Sequence, residues 1–315
     1  MSNKILVTPR SVTRDGHPSL QRLAQAGYKV VCCTPGKQPS EEELLRLLPG
    51  CAGYLCGVEK VTARVLESAQ DLRAISRNGT GIDNIDLPVA QRLNVRICRA
   101  EGANARGVAE LAMSLMLALV RSVPLSDHAI KQGGWERALG VELEGRTLGL
   151  IGCGKIGKLV ARFALAFDMT VLAFDLYPDA AFRPSDRFKY APLDEIWSRA
   201  DILSLHCPPS PNGQPLIDSE TLSRLRKGVY IVNTARAELI DETAIIEALD
   251  SGRVAGLATD VFATEPPTQR QLAGHKRVIA TPHIGGFTGE SVSRAMDVAV
   301  DNLLAALSAK ASHTH

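Results

Sequence analysis

Three side chains suited to acid–base and carboxylate-binding chemistry stand far apart in the chain: Arg236 in VNTARAELID, Glu265 in DVFATEPP and His283 in TPHIGGFT. Each stretch follows a short apolar run, and α/β enzymes place reactive side chains at the carboxyl ends of such strands. A guanidinium can grip a carboxylate, and an imidazole oriented by a carboxylate can carry a proton. Alone, the three would most often be a surface ion pair, a loop acid and a structural histidine. Together they favour catalysis.

A glycine motif lies upstream, in TLGLIGCGKIGKLVARFA. Gly152, Gly154 and Gly157 satisfy GxGxxG, which is a weak signal by itself because glycine triplets also form ordinary tight turns. Here the motif follows an apolar strand and opens a helix at Lys155 and Ile156. That context predicts a dinucleotide site with its pyrophosphate at the helix N-terminus.

An acidic residue ends the next predicted strand, Ala173-Phe174-Asp175. A carboxylate there can accept hydrogen bonds from the adenosine ribose, and it repels a 2′-phosphate. Asp175 could merely cap a loop, but no Arg or Lys follows closely, so the sequence favours NAD over NADP. With the three residues above, this predicts hydride exchange between a nicotinamide cofactor and a small hydroxy acid.

The bulk composition excludes several classes of protein. A chain of 315 residues is expected to hold two domains. Its 36 basic and 34 acidic residues leave a net charge of +2, which gives no support for a nucleic-acid or membrane surface. The longest apolar stretch, Leu111 to Val120, is far shorter than the roughly 20 residues of a membrane span.

The cysteines and the N-terminus indicate a location. Seven cysteines are scattered without a CxxC pair, so we expect buried free thiols and no metal site. The chain enters a strand directly at Lys4, without the apolar core of a signal peptide. We therefore expect a cytoplasmic protein.

Strand and helix candidates alternate over the first hundred residues, which predicts a parallel sheet with helices on both faces. One long apolar helix, Asn104 to Arg121, follows, and a second begins at Pro124. A new series of strands and helices then suits a Rossmann sheet. Its six strand candidates are Leu148–Ile151, Thr170–Phe174, Ile202–Leu205, Val229–Val232, Leu257–Thr259 and Val278–Ala280. An amphipathic helix, Gly289 to Ser308, and a short polar end at 309–315 come last.

From the loop NGTGIDNID to TPHIGGFT the chain resembles the D-isomer-specific 2-hydroxyacid dehydrogenases. The resemblance implies an α/β protein of two Rossmann-like or flavodoxin-like parallel-sheet domains, with the substrate domain discontinuous. The substrate-binding domain would take residues 1–100 and 285–315, and the NAD-binding Rossmann domain residues 101–284. The resemblance also implies closure of a cleft on binding, and a homodimer built through the helices near 104–140.

The resemblance assigns roles to residues that match the family's motifs. Arg236 would bind the substrate's carboxylate and carbonyl, His283 would be the acid/base, and Glu265 its partner. Asp260 in ATDVF would be an acid that supports the site. Glu265 implies a reaction that moves a proton, because formate dehydrogenases of this superfamily carry Gln there. The cofactor-binding residues would be Gly152, Gly154, Lys155, Ile156, Gly157, Asp175, Cys207, Pro208, Thr234, Ala235, Asp260 and Gly285. The substrate-binding residues would be Gly57, Val58, Asn78, Gly79 and Asn104, with backbone groups of Gly57, Val58 and Gly79 holding the carboxylate.

The substrate is left open. GGWER and LEGRTLGLIGCGKIG look most like the 3-phosphoglycerate dehydrogenases, in a short form without a regulatory domain. Those enzymes usually carry an Arg in the first substrate loop, where this chain has Cys56, and Glu59 adds a negative charge that would repel a phosphate. A small unphosphorylated acid, as used by hydroxypyruvate or glyoxylate reductases, is therefore an equal alternative. A non-catalytic NAD-sensing corepressor is a less favoured class, because the chain has no long charged tail.

Overall fold

The computed structural model describes residues 2–308, and the polar end expected at 309–315 lies outside them. The chain divides into two compact units. One unit takes the described residues up to Asn104 and those from Thr288 onward, so it is discontinuous in sequence. The other unit is Ala105–Phe287.

The first unit contains a five-stranded parallel sheet. Its strands are β1 (Lys4–Val7), β2 (Lys29–Cys32), β3 (Cys51–Cys56), β4 (Ala74–Arg77) and β5 (Arg96–Arg99). Their order is β2-β1-β3-β4-β5, the order of flavodoxin-like folds. The central strand β3 is buried along its whole length, and the edge strands β2 and β5 are only partly buried.

Helices pack on both faces of this sheet, because successive strand residues point to opposite sides. Leu6 and Tyr54 face one cluster, which includes Leu44, and Ile5 faces another, which includes Met296. The helices are α1 (Arg10–Asp15), α2 (Leu20–Gln25), α3 (Glu41–Leu47), α4 (Ala63–Glu67), α5 (Leu87–Arg92) and the last helix, Gly289–Ser308. The last helix belongs to the second cluster, which is why the unit is discontinuous.

Side-chain caps determine where several helices begin. Ser40 accepts the N–H of Glu43 at 3.3 Å, and Thr62 accepts the N–H of Val65 at 3.4 Å. Asp86 caps α5 in the same way. Each cap satisfies an N–H that the first turn of a helix cannot pair internally.

The second unit contains a seven-stranded parallel sheet. Its strands are β6 (Thr147–Ile151), β7 (Thr170–Phe174), β8 (Phe188–Tyr190), β9 (Ile202–Leu205), β10 (Val229–Asn233), β11 (Val254–Thr259) and β12 (Val278–Ala280). Their order, β12-β11-β10-β9-β6-β7-β8, extends the Rossmann order by one strand. The prediction of six strands missed β8, because three residues at a sheet edge carry too little periodicity to be recognised. The predicted fold class is confirmed.

Six helices belong to this unit: α6 (Ala105–Val120), α7 (Val123–Lys131), α8 (Lys155–Ala166), α9 (Leu193–Arg199), α10 (Ser219–Arg224) and α11 (Glu242–Asp250). Within residues 2–308 no single helix is long and apolar enough to cross a membrane. The helices α6 and α7 are long and apolar enough only when they are taken together, and a bend of 62° separates them. Most of α6 is buried, with Met113 and Met116 in the same cluster as Leu148 and Leu150 of β6.

Candidate active site

The predicted catalytic residues follow three neighbouring strands. Arg236 comes after β10, Glu265 after β11 and His283 after β12, and these strands lie side by side in the order β12-β11-β10. Since the strands are parallel, their carboxyl ends meet at one edge of the sheet. The fold of the second unit therefore brings to one edge three residues that the sequence keeps far apart.

His283 and Glu265 form a direct pair. The Nδ1 atom of His283 lies 2.8 Å from Oε2 and 3.0 Å from Oε1 of Glu265. Glu265 is itself oriented by the backbone N–H of Phe262, which donates to Oε1 at 3.2 Å. With Nδ1 donating to the carboxylate, Nε2 is the nitrogen that can exchange a proton with a bound molecule.

The loop that carries His283 is held from beneath by Asp260, which is only 1% exposed. Oδ1 accepts the hydroxyl of Thr281 at 2.6 Å and the N–H of Ile284 at 2.8 Å, and Oδ2 accepts the N–H of Gly285 at 2.8 Å. His283 has a φ of 52°, in the left-handed region that non-glycine residues rarely adopt. Such strain persists only where the surroundings impose it, and Asp260 constrains the residues on both sides.

These contacts agree with the supporting role that the resemblance implies for Asp260, while the cofactor contacts expected for Asp260 and Gly285 stay predictions. Both carboxylate oxygens of Asp260 accept hydrogen bonds from the His283 loop, and the N–H of Gly285 is used in doing so. A Cβ on Gly285 would come within 3.1 Å of Asp260 Oδ2, so glycine permits the close approach. The geometry of Asp260 is that of a support for the loop.

The turn that carries Arg236 is shaped by Asn233, the last residue of β10. Asn233 Oδ1 accepts the N–H of Ala235 at 3.0 Å, and its Nδ2 donates to the carbonyl of Arg236 at 2.8 Å. Its own carbonyl accepts the N–H of Asp260 at 3.0 Å. Hydrogen bonds therefore connect the turn of Arg236, which includes Thr234 and Ala235, to the support of the His283 loop. Asn233 was missed as a site residue, and its sequence signal is a lone amide ending a buried apolar run.

The glycine motif forms the turn between β6 and α8. Gly152 has a φ of 92°, and a Cβ there would lie 2.6 Å from the carbonyl group of His206. A Cβ on Gly157 would lie 2.1 Å from the carbonyl oxygen of Gly152, whereas a Cβ on Gly154 would meet nothing within 4 Å. Close packing thus requires the first and third glycines. The second leaves open space before the helix N-terminus, as a pyrophosphate needs.

Asp175 follows β7, the neighbour of β6. Its Oδ2 accepts the N–H of Cys153 at 2.7 Å, and its Oδ1 accepts the N–H of Tyr177 at 2.9 Å. The carboxylate is therefore anchored to the glycine turn, where a Rossmann fold places its ribose-binding acid. Lys155 and Ile156 form the first turn of α8 beyond it.

Cys207 and Pro208 follow β9, on the other side of β6. Burial raises the pKa of Cys207 to about 11, so its thiol is neutral. The preceding residue, His206, has Nε2 at 2.8 Å from the hydroxyl of Ser204, and burial lowers its pKa to about 4. A neutral, half-buried imidazole that is paired with a strand hydroxyl fits a structural role.

The predicted substrate-binding residues lie in the first unit. Gly57 and Val58 follow β3, Asn78 and Gly79 follow the neighbouring strand β4, and Asn104 closes the unit's first segment. The carbonyl oxygen of the Asn104 side chain accepts the hydroxyl of its neighbour Thr80 at 3.1 Å. Four of the five residues thus stand at the carboxyl edge of the five-stranded sheet.

Two of the backbone donors predicted to hold the substrate are already used within this unit. The N–H of Gly57 donates to Glu59 Oε1 at 2.9 Å, and the N–H of Gly79 donates to the carbonyl of Arg77 at 2.8 Å. Both N–H groups therefore have a partner within the unit, and their contact with a substrate carboxylate stays a prediction. Sequence patterns predict a loop at the end of a strand, but they do not show which of its backbone N–H groups already donate hydrogen bonds within the loop.

Residues 113–285 match the family model described as "D-isomer specific 2-hydroxyacid dehydrogenase, NAD binding domain". The chain belongs to the D-isomer specific 2-hydroxyacid dehydrogenase family. The matched range contains the glycine turn, Asp175 and all three predicted catalytic residues. The family resemblance and the NAD cofactor predicted from the sequence are confirmed, and the roles of the individual site residues stay predictions.

Curated proteins and solved structures of the family are similar to this chain. Hydroxypyruvate reductase of Thermotoga maritima is 40% identical over 260 residues, which are 81% of this chain and 84% of that protein. D-3-phosphoglycerate dehydrogenase of Rattus norvegicus is 39% identical over 258 residues, 81% of this chain and 48% of that protein. The chain thus spans about half the length of the D-3-phosphoglycerate dehydrogenases that it matches. The crystal structure of the TT0316 protein from Thermus thermophilus is 34% identical, covers 96% of both chains and has a TM-score of 0.84.

Proposed function

We propose that this family member is an NAD-dependent oxidoreductase that interconverts a small 2-keto acid and its D-2-hydroxy acid. The observation that carries the proposal is the His283–Glu265 pair, with Nδ1 held at 2.8 Å and Nε2 left for proton exchange. The His283–Glu265 pair lies within the range that matches the NAD binding domain, at the same sheet edge as Arg236.

The residues fit the cofactor and divide the chemistry between them. The open face at Gly154 and the anchored carboxylate of Asp175 suit a pyrophosphate and a ribose. The hydride that C2 of the keto acid receives would come from NADH held by these groups. Arg236 holds the substrate carboxylate and polarises the C2 oxygen, and His283 Nε2 gives that oxygen its proton. The oxidation runs through the same groups in reverse, and Glu265 stabilises the imidazolium while it carries the proton.

The substrate is proposed to be a small 2-keto acid. One relative is named a hydroxypyruvate reductase and another a D-3-phosphoglycerate dehydrogenase, so both an unphosphorylated and a phosphorylated acid belong in the test. The chain's own first loop, with Cys56 in place of an Arg, favours the unphosphorylated acid. Phosphate is bound best by bidentate charged donors.

We also infer a homodimer, supported by an exposed apolar stretch in the second unit. The helix α7 has no buried residue, although it contains Val123, Leu125 and Ile130. Beyond it, Trp135 is 82% and Leu139 100% exposed. Several exposed apolar side chains within one stretch of chain are typical of an interaction site. Light scattering should give a dimer mass for wild type and a lower mass for Leu139→Asp. A cytoplasmic location is the companion proposal, supported by seven free cysteines.

The decisive experiment is NADH oxidation with a panel of 2-keto acids, including glyoxylate, hydroxypyruvate and 3-phosphohydroxypyruvate. Turnover of at least one acid, lost in His283→Asn, is the expected result. The matched control is His275→Asn, which alters another histidine of the same unit, paired with Asp250 at 3.2 Å, and should leave turnover unchanged. NADH binding without turnover of any acid would overturn the proposal and favour an NAD-sensing role.

A further inference from the structure

The first unit contains a buried carboxylate that the proposed chemistry does not use. Glu59 is 2% exposed, although its place in the loop after β3 suggested a negative charge facing the substrate. That expectation is wrong. Glu59 Oε1 accepts the N–H of Gly57 at 2.9 Å, the hydroxyl of Tyr54 at 2.5 Å and the hydroxyl of Thr8.

These three donors explain how the carboxylate can be buried. An ionised carboxylate removed from water costs several kcal/mol unless charge-assisted hydrogen bonds replace its hydration. Thr8 and Tyr54 are both fully buried. Burial, and secondarily the Glu59 charge, raises the pKa of Tyr54, so its hydroxyl keeps its proton and donates. The carboxylate thereby ties the ends of β1 and β3 to the loop.

The other side of the same loop is held as well. Asn84 Nδ2 donates to the carbonyl of Glu59 at 2.7 Å and to that of Gly57 at 3.3 Å. The carbonyl of Asn84 accepts the N–H of Val61 at 2.8 Å. A Cβ on Gly57 would lie 2.8 Å from Glu59 Oε2. The first loop, which begins at Cys56 and continues through residues 57–60, is thus fixed both by Glu59 and by Asn84.

We propose that Glu59 is a positioning residue that fixes the first loop for the substrate and removes the Gly57 N–H from the donors a substrate can use. The loop then presents Val58, whose side chain is half exposed, in one conformation. A preformed loop lowers the ordering cost of binding, so Glu59 should act on substrate affinity and leave NAD binding unaffected. This catalytic consequence rests on the proposed function, whereas the clamp itself does not.

Amide hydrogen exchange tests the clamp without any activity. In Glu59→Ala the Gly57 amide loses Glu59 Oε1, the nearer of its two acceptors, and keeps only Thr8 Oγ1 at 3.2 Å. We expect exchange over residues 57–60 to rise about ten-fold or more. Glu59→Gln keeps an acceptor oxygen, and the two hydroxyls can turn to suit an amide, so it should protect the loop nearly as well as wild type. The matched control Glu67→Ala, which removes an exposed glutamate of the same unit, should change nothing there. Unchanged exchange in Glu59→Ala would refute the clamp.

Steady-state kinetics test the positioning role. We expect Glu59→Ala to raise the KM for the keto acid about ten-fold or more, with the KM for NADH unchanged and kcat within a few-fold. Glu59→Gln should restore the keto-acid KM, which a loss of stability alone would not produce. If amide exchange over residues 57–60 rises in Glu59→Ala but the keto-acid KM stays normal, Glu59 does not position the loop for the substrate.

Two further variants keep the test decisive if Glu59→Ala fails to fold. Tyr54→Phe and Thr8→Val each remove one donor to the carboxylate and should loosen the loop by a smaller factor, in the same direction for exchange and for KM. No effect in either variant would count against the clamp. If wild type turns over no 2-keto acid, the proposed function fails, while the exchange data still decide the clamp.

Discussion

Glu59 in the five-stranded unit and Asp260 in the seven-stranded unit are both buried carboxylates beneath a loop at the carboxyl edge of a parallel sheet. Their donors differ. Asp260 accepts three hydrogen bonds from the loop that it supports, at Thr281, Ile284 and Gly285. Glu59 accepts one from its loop and two from hydroxyls of strand or strand-end residues.

The difference suggests two uses of the same chemistry. Asp260 determines the backbone conformation of a loop from inside, and the strained His283 is the result, so its loss should disturb the proton transfer itself. Glu59 fastens a loop to the sheet, so its loss should loosen binding and leave the reacting groups intact.

His283→Asn should lower kcat by about 10²–10⁴-fold, the usual cost of losing a positioned acid/base, while NADH binding stays intact. Stopped-flow or steady-state NADH oxidation measures kcat, and fluorescence titration measures NADH binding. A kcat within a few-fold of wild type would show that the Asp260-supported loop does not carry the proton, and the comparison with Glu59 would lose its basis.

Asp260→Ala should lower kcat by about 10- to 100-fold, because two backbone N–H groups and a hydroxyl lose a charged acceptor. The expected pattern is opposite to that of Glu59→Ala: a fall in kcat with a smaller change in the keto-acid KM. Asp250→Ala, an exposed aspartate of the same unit, is the matched control. If both Asp260→Ala and Glu59→Ala change only the keto-acid KM, both carboxylates act on substrate binding and the proposed difference between them is wrong.

Gly57→Ala and Gly285→Ala probe how closely each carboxylate lies under its loop. The added Cβ would lie 2.8 Å from Glu59 Oε2 and 3.1 Å from Asp260 Oδ2 respectively. Overpacking of this kind costs about 1–3 kcal/mol, and we expect Gly57→Ala to lower Tm more. Gly289→Ala, where nothing lies within 4 Å, is the control.

A double variant then tests whether that cost comes from the carboxylate. Adding Glu59→Ala should remove most of the Gly57→Ala penalty, since neighbouring substitutions couple when they share one contact. Additive effects on Tm would show that the backbone of Pro9, 3.4 Å away, and not the carboxylate, limits the space at Gly57.

Glu265→Gln should produce the smallest effect, a fall of a few-fold in kcat for keto-acid reduction. The amide oxygen can still accept from Nδ1 of His283, which the carboxylate holds at 2.8 Å, but it lacks the negative charge that stabilises an imidazolium. Steady-state NADH oxidation measures the change. An unchanged kcat would separate the charge of Glu265 from the proton transfer and leave orientation as its role.

The sequence alone indicated most of what depends on local pattern. Apolar runs alternating with helical periods predicted two parallel sheets, since burial on both faces makes such strands continuously hydrophobic. GxGxxG between a strand and a helix predicted the dinucleotide turn, because turn geometry and helix packing restrict those positions to glycine. Polar residues directly after apolar runs predicted Arg236, Glu265 and His283, because parallel strands end at a common edge.

The tertiary structure decided what depends on distant partners. Glu59 stands beside Lys60 in a stretch whose sequence is typical of a polar loop. Only the fold brings the hydroxyls of Thr8 and Tyr54 close enough to donate to its buried carboxylate. Asp260 likewise becomes a loop support only when β12 returns beside β11. A carboxylate side chain can be buried only where several hydrogen-bond donors surround it. The packed sheet brings those donors together, because no short stretch of the sequence contains all of them.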